Sequence, residues 1–349
     1  MLIRLRRNLT EPERSAVIVL ARQLGLAVRA VDGSRELLCL EGPGAPEHRS
    51  RLEDLSGVEA VLDPGESRER FQRAPGQPDS QVRVGAGRFG RGSVALIAGP
   101  CAVEDAERLL EIARGVRERG ATVLRGGAYK PRTSPYSFQG TRERGLEMLA
   151  RAKCESGLAV VTEVLDPRDV GAVAEVADML QVGSRNMSNS ALLSELGRLR
   201  QPVLVKRGFS ATLREFLLAA EYVLAGGNEQ VILCERGIRG FDPSTRNVLD
   251  VGAVAALKRM THLPVIVDPS HASGRADLVR ALARAGLAAG ADGVMCDVHT
   301  APSEAHCDSH QAIPLEEFER IVADARVLAG LDARTLTTAT APALPESVR

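Results

Sequence analysis

The chain has 349 residues, with 45 lysines and arginines against 45 aspartates and glutamates and so no formal net charge. That length holds one large domain plus a small one, and the charge balance gives no electrostatic footprint for a nucleic acid. Tryptophan is absent and aromatics make up 3% of the residues, so the core has to be aliphatic.

Residues 1–75 read as a separate small unit. Leu2–Leu5 reads as a strand. Thr10-Glu-Pro-Glu opens a helix with an N-cap and an early proline, running to about Leu24. Leu26–Val31 and Glu36–Leu40 read as strands around the turn Asp32-Gly-Ser, Pro46–Leu55 as a helix and Val58–Leu62 as a last strand. The order βαββαβ is the ferredoxin-like arrangement. No catalytic cluster falls there, so the unit reads as an oligomerisation module or as a regulatory domain. Residues 66–92 are polar and rich in Gly, Pro and Arg. Residues 76–92 therefore read as a linker, with a short hairpin around Val82–Phe89.

From residue 93 to 330 short apolar runs alternate with amphipathic helical stretches. The runs are Val94–Ala98, Thr122–Arg125, Ala159–Glu163, Met179–Val182, Pro202–Lys206, Gln230–Cys234, Pro264–Val267 and Gly293–Cys296. Eight βα units predict a (β/α)8 TIM barrel, and a doubly wound open sheet fits the same periodicity. Residues 331–349, rich in Thr, Ala and Pro without periodicity, are expected to form a disordered tail. The six cysteines show no disulfide-scaffold spacing, the N-terminus lacks the apolar segment of a secretory signal, and no apolar run approaches spanning length. A soluble cytoplasmic protein is expected.

The unusual polar residues fall at the ends of these runs. The densest stretch is Arg125-Gly-Gly-Ala-Tyr-Lys-Pro-Arg-Thr-Ser-Pro-Tyr-Ser-Phe-Gln-Gly140. Its guanidinium forks, ammonium, hydroxyls and close-approach glycines are the equipment for gripping phosphate. Other ends read Ala98-Gly-Pro-Cys101, Thr162-Glu163, Gln181-Val-Gly-Ser-Arg185, Lys206-Arg-Gly, Glu235-Arg-Gly, Asp268-Pro-Ser-His271 and Asp297-Val-His299. In a barrel these ends meet on one face. Arg125, Lys130, Arg185, Lys206 and Arg236, with Arg132, would repel one another around one mouth unless anions bind there. Only four lysines occur in the chain, which draws attention to Lys130 and Lys206. Cys101, His271, Asp297 and Asp308 mix a thiolate, an imidazole and two carboxylates, a set that suits Mn, Fe, Co or Zn. Singly, Cys101 reads as a small buried hydrophobe and His271 as a hydrogen-bonded structural histidine; together at strand ends they favour a metal.

Five segments carry a family resemblance: Ile97-Ala-Gly-Pro-Cys-Ala-Val-Glu-Asp, Lys130-Pro-Arg-Thr-Ser-Pro-Tyr-Ser-Phe-Gln-Gly, Gln181-Val-Gly-Ser-Arg-Asn-Met, Val205-Lys-Arg-Gly and Asp268-Pro-Ser-His. They resemble the 3-deoxy-D-arabino-heptulosonate 7-phosphate (DAHP) synthases, in particular the microbial subgroup with a short ferredoxin-like regulatory domain. The resemblance implies condensation of phosphoenolpyruvate with erythrose 4-phosphate, the first step of the shikimate pathway. It implies that Arg125, Lys130, Arg185, Lys206 and Arg236 hold phosphoenolpyruvate. Lys130, Arg132 and Thr133 would hold erythrose 4-phosphate. Cys101, His271, Asp297 and Asp308 would hold a divalent metal ion. Lys130, His271 and Glu163 are the expected catalytic groups, Lys130 in proton transfer, Glu163 and His271 in organising water. An aromatic amino acid effector gating the barrel mouth, a homo-oligomer and association with chorismate mutase are further implications. The alternatives are an octulosonate phosphate synthase, against which Lys130-Pro-Arg-Thr speaks, and a weakly active homologue serving as a regulatory subunit.

Two departures stand out. The family usually has Glu where this chain has Asp297, which shortens the reach of that carboxylate by one carbon–carbon bond, roughly 1.5 Å. His299, His306, Cys307 and His310 surround Asp308 where the family has blander residues. They read as drift in an exposed loop, or as a sign of altered metal preference or redox sensitivity.

Overall fold

The computed structural model describes residues 1–6, 9–30, 36–42, 44–62, 69–73, 76–132, 134 and 136–339. The turn Asp32-Gly-Ser, Thr133 and residues 340–349 lie outside them.

The first unit comprises β1 (Leu2–Leu5), α1 (Glu11–Gln23), β2 (Ala27–Ala30), β3 (Leu37–Glu41), α2 (Arg49–Glu53) and β4 (Val58–Leu62). Thr10 starts α1 with a capping box: Oγ1 accepts from Glu13 N, and the Glu13 carboxylate accepts from Thr10 N at 2.9 Å. The strands pair antiparallel in the order β2-β3-β1-β4. Alternate residues (Ile3, Leu5, Leu38, Leu40) are buried against Val17 and Ala21 of α1 and Leu52 of α2, as a period of two on a one-sided sheet requires.

Residues 76–92 are not a free linker. The expected hairpin forms as β5 (Val82–Val84) and β6 (Gly87–Phe89). Val82, Val84 and Phe89 are buried against inward-facing barrel residues such as Ile97, Ala159, Leu204 and Ile266 and close the barrel floor. Gly85 adopts φ +56°, and a Cβ there would meet Ala159 Cβ at 2.7 Å, so both conformation and space call for glycine.

The barrel strands are β7 (Ser93–Gly99), β8 (Val123–Arg125), β9 (Ala159–Glu163), β10 (Met179–Val182), β11 (Val203–Lys206), β12 (Val231–Glu235), β13 (Val265–Val267) and β14 (Gly293–Asp297). All pair in parallel, and β14 pairs with β7 from Gly293 against Ala95 to Asp297 against Gly99. That closure selects the (β/α)8 barrel over the open sheet. Nearly every strand residue is buried, as expected of strands covered on both faces. The outer helices are α3 (Ala106–Glu118), α4 (Glu143–Ser156), α5 (Val170–Val176), α6 (Ser190–Gly197), α7 (Leu213–Ala225), α8 (Val251–Met260), α9 (Pro269–Ser273), α10 (Ala276–Ala288) and α11 (Leu315–Leu331). No helix among the described residues is long and apolar enough to cross a membrane.

The expected tail is ordered as far as residue 339. β15 (Thr335–Leu336) runs beside the start of β7, and Thr337 N donates to Val94 O at 2.8 Å. Arg334 donates to the carbonyls of Ala291 and Leu287. These groups complete hydrogen bonds at the barrel's lower edge, which composition could not reveal. The first unit joins the same lower end. Arg70 pairs with Glu36, Glu221 accepts from the backbone N of Arg70 and of Phe71 at 3.0 Å, and Ser80 N donates to His262 O.

Candidate active site

At the other end the strand termini surround a cavity of about 340 Å³. Arg125, Lys130, Arg132, Arg185, Lys206 and Arg236, the six cations singled out in the sequence, all line it, together with Glu163, His271 and Asp308. Arg246 is a seventh cation there. Thr133 lies outside the described residues.

The basic lining is partly balanced from below. Arg125 pairs with Asp297, and Lys206 with Asp268. Lys130 Nζ donates to both the carbonyl oxygen and Sγ of Cys101 at 3.0 Å. Burial works against the charge on Lys130, but Cys101 and Cys307 outweigh it and raise its pKa. For Arg125, Asp297 similarly outweighs burial. Burial lowers the pKa of Arg236. The ring of Phe209 supports that guanidinium at 4.7 Å, with Arg185 at 5.4 Å and Arg239 at 5.5 Å.

Glu163, the last residue of β9, stands among these cations. Burial pushes its carboxyl up, against Lys130, Lys206 and Arg125. Gln181 Nε2 donates to Glu163 Oε2 at 3.2 Å. Gly183 leaves the space for this carboxylate, because a Cβ there would lie 1.9 Å from Glu163 Oε1.

Three of the four expected metal ligands come together. Donor atoms of Cys101, His271 and Asp308 lie within 4.8 Å of one another. His271 Nδ1 lies 2.9 Å from Asp268 Oδ2, leaving Nε2 for a metal. Burial lowers the His271 pKa, with Asp268 and Asp297 opposing, which favours a neutral ring. The Asp308 carboxyl, raised by burial, is brought well below the usual range by His271 and Arg246. A cysteine sulfur, a neutral imidazole and an ionised carboxylate at such separations fit a divalent transition ion, which would displace the cysteine proton on binding.

Asp297 stands apart from this group among the described residues. Its carboxylate pairs with Arg125 and accepts from Gln311 Nε2, and Oδ2 is 3.7 Å from His271 Nε2. Its shorter side chain leaves the carboxylate within the buried floor, where a cation and an amide take it up.

The residues around Asp308 divide. Cys307 is not in an exposed loop: it is 2% exposed, and its Sγ lies 3.8 Å from Cys101 Sγ. The Cys101 thiol, with Lys130 and Arg132, pulls the Cys307 pKa down to about 7 against burial. His299 accepts from Ala301 N at 3.0 Å and does not line the cavity. His306 is exposed, pairs with Glu104 and packs edge-on to Phe138. His310 meets Arg246 at 2.8 Å. Of the other strand ends, Glu235 is structural: it pairs with buried Arg207 at 2.8 Å and accepts from Gly237 N.

Sequence reasoning missed Asp268, Phe209, Arg246 and Gln311 as individual contributors. Asp268 stood inside a motif read for its histidine, and Phe209 followed the Lys206-Arg-Gly end directly.

A barrel whose upper end gathers six cations around a cysteine, a histidine and an aspartate has the architecture of a class of phosphosugar-condensing enzymes. The family described as DAHP synthetase I matches residues 76–330, and the chain belongs to it. A phospho-2-dehydro-3-deoxyheptonate aldolase of Thermotoga maritima is 43% identical over 94% of this chain and 98% of its own length. The crystal structure of the DAHP synthase of that organism superposes with a TM-score of 0.75 at 42% identity, covering 96% of this chain and 99% of that one. A 2-dehydro-3-deoxyphosphooctonate aldolase of Nitratidesulfovibrio vulgaris is 33% identical over 73% of this chain and 97% of its own length.

Proposed function

We propose that the protein condenses phosphoenolpyruvate with erythrose 4-phosphate and water to give 3-deoxy-D-arabino-heptulosonate 7-phosphate and phosphate, opening the shikimate pathway to the aromatic amino acids. The carrying observation is the convergence of six cations from four strand ends on one cavity beside Cys101, His271 and Asp308. Arg125, Arg185, Lys206 and Arg236 grip the phosphate and carboxylate of phosphoenolpyruvate. Lys130 stands between the substrates, and Arg132 and Thr133 take the phosphate of the sugar.

Cys101, His271 and Asp308 would hold a divalent ion (Mn, Fe, Co or Zn), which when bound supplies Lewis-acid polarisation of the aldehyde. The remaining work falls to this chain's own groups. C3 of phosphoenolpyruvate forms a bond to the aldehyde carbon, and the charged Lys130 delivers a proton to the oxygen that becomes the hydroxyl. Positive charge then develops at C2. Glu163, poised by burial, takes a proton from the water that adds there. The new C2 hydroxyl then gives its proton to the leaving phosphate as its oxygen closes to the ketone and the C2–O bond to phosphate breaks, and the cations hold the departing anion.

The free cysteines support a reducing, cytoplasmic setting. The first unit is proposed as the regulatory domain. It is tied to the lower end of its own barrel, so gating of a mouth by a bound aromatic amino acid acts between copies in a homo-oligomer.

The test is phosphate release from phosphoenolpyruvate with erythrose 4-phosphate or arabinose 5-phosphate, after chelation and after manganese is restored. Metal-restored turnover with the four-carbon sugar alone is expected. Turnover with arabinose 5-phosphate would assign an octulosonate phosphate synthase. Silence with both sugars and every divalent ion would assign a regulatory subunit, with chorismate mutase as a candidate partner.

A further inference from the structure

Two side chains compete for the fourth protein position beside Cys101, His271 and Asp308. Asp297 is wholly buried and already engaged, with Arg125 and Gln311 on its two carboxylate oxygens. Ligating a metal through it would strip a buried guanidinium of its counter-ion or an amide of its acceptor, which is costly in the interior. Cys307 is buried against Cys101 and Asp308, directly before the positive-φ residue Asp308.

The separations place Cys307 beside Cys101 and Asp308, and Asp297 beside His271, with Asp297 Oδ2 3.7 Å from His271 Nε2. With metal–sulfur bonds of about 2.3 Å and metal–nitrogen or metal–oxygen bonds of about 2.0–2.2 Å, tetrahedral geometry puts two sulfurs roughly 3.8 Å apart and sulfur roughly 3.5 Å from nitrogen or oxygen. Cys101 Sγ and Cys307 Sγ are 3.8 Å apart. Cys101 Sγ lies 3.6 Å from His271 Nε2, and Cys307 Sγ lies 3.6 Å from Asp308 Oδ2. Cys101 Sγ to Asp308 Oδ2 is 3.2 Å. Four edges of one tetrahedron are thus close to the values a metal would impose.

We infer that Cys307 is the fourth protein ligand, giving a centre of two thiolates, one imidazole and one carboxylate in which Asp297 serves as the counter-ion of Arg125. The inference rests on the metal-dependent reading above. It links both departures of this chain: the carboxylate shortened at Asp297 and the thiol introduced at Cys307 exchange one oxygen donor for one sulfur donor. A second thiolate moves the preference from manganese towards zinc, iron and cobalt. Arg132 Nη1, 2.9 Å from Cys307 Sγ, joins this donor to the loop proposed to hold the sugar phosphate.

The test is cobalt titration of the chelated full-length protein, read as thiolate-to-cobalt charge-transfer absorption. Cys307→Ser and Asp297→Asn are compared with the parent chain, and circular dichroism confirms folding. Cys307→Ser is expected to bind cobalt with about half the charge-transfer intensity, because one of two thiolates is gone, while Asp297→Asn keeps the full intensity. If Cys307→Ser misfolds, counting the thiols that bound zinc shields from alkylation in the unmutated chain decides: two protected thiols support the inference and one overturns it. Full intensity in folded Cys307→Ser, with weakened cobalt binding in Asp297→Asn, would also overturn it and leave the metal reading intact. No cobalt bound by the parent chain would remove both.

Discussion

Asp268 Oδ2 lies 2.9 Å from His271 Nδ1, and the same oxygen accepts from Lys206 Nζ. One wholly buried carboxylate therefore sets the orientation of a proposed metal ligand and pairs with a proposed phosphate ligand. Asp268 also caps α9, accepting from His271 N at 3.0 Å, so the histidine is held by both its backbone and its ring. The Asp268→Asn variant should lose roughly 10–100-fold in metal affinity, the usual cost of removing a carboxylate behind a ligating imidazole. Competition with a chromogenic chelator measures it. Unaltered affinity would show that α9 and the neighbouring packing hold the ring unaided.

Gly183 and Glu163 form a second dependence. A methyl group at residue 183 would sit 1.9 Å from Glu163 Oε1, so Gly183→Ala must displace the carboxylate. The backbone there has φ −71°, which alanine adopts freely, so the fold should be retained. Turnover should fall about 100-fold, the ordinary share of a positioned acid–base group, with cobalt absorption unchanged. Glu163→Gln should give the same result. Full activity in both variants would remove Glu163 from the water-addition step.

The barrel and the strand-end face that carries the candidate site were legible in the sequence because parallel strands covered on both sides are continuous apolar runs. Eight such runs with polar residues at their ends admit few arrangements. What escaped depends on pairings distant along the chain. The place of Asp268 appears only once Lys206 and Arg125 face it, whereas Cys307 stood out in the sequence as a departure and the fold adds its burial beside Cys101. Arg246 lies in an aperiodic stretch before α8, so nothing local announces its contact with Asp308 at 3.2 Å. The floor hairpin was readable from the alternation of Val82, Val84 and Phe89, but its docking partner was not. Thr335–Leu336 escaped because its support is backbone pairing to β7, which leaves no compositional trace.

Phe209 should matter for binding more than for chemistry. Its ring carries Arg236 at 4.7 Å and Arg185 at 5.4 Å, both proposed to hold phosphoenolpyruvate. Phe209→Leu keeps an apolar filling but removes the π face. Cation–π contacts contribute about 0.5–2 kcal/mol, so KM for phosphoenolpyruvate should rise roughly 2- to 30-fold with kcat little changed. Steady-state kinetics with saturating sugar phosphate measures it. A fall in kcat at constant KM would place the ring in the chemical step instead.

Asp79 offers a test of the barrel's lower end that leaves the site untouched. It pairs with Arg73 and lies 3.1 Å from Lys258 Nζ, which also reaches Asp292 at 2.8 Å. Burial raises its carboxyl pKa, but Arg73 and Lys258 outweigh that and hold it below the ordinary value. A carboxyl whose folded pKa is depressed contributes stability above its unfolded pKa and loses it as pH falls through the folded one. The pair is partly exposed, so solvent screening limits the contribution to about 1 kcal/mol at neutral pH. Urea unfolding should therefore show Asp79→Asn less stable than the parent by that amount at pH 7. The gap should shrink towards zero below the ordinary aspartate range, because the parent then loses the same charge. A gap that persisted or widened on acidification would mean that packing by the side chain, and not its charge, ties residues 69–80 to the end of α8.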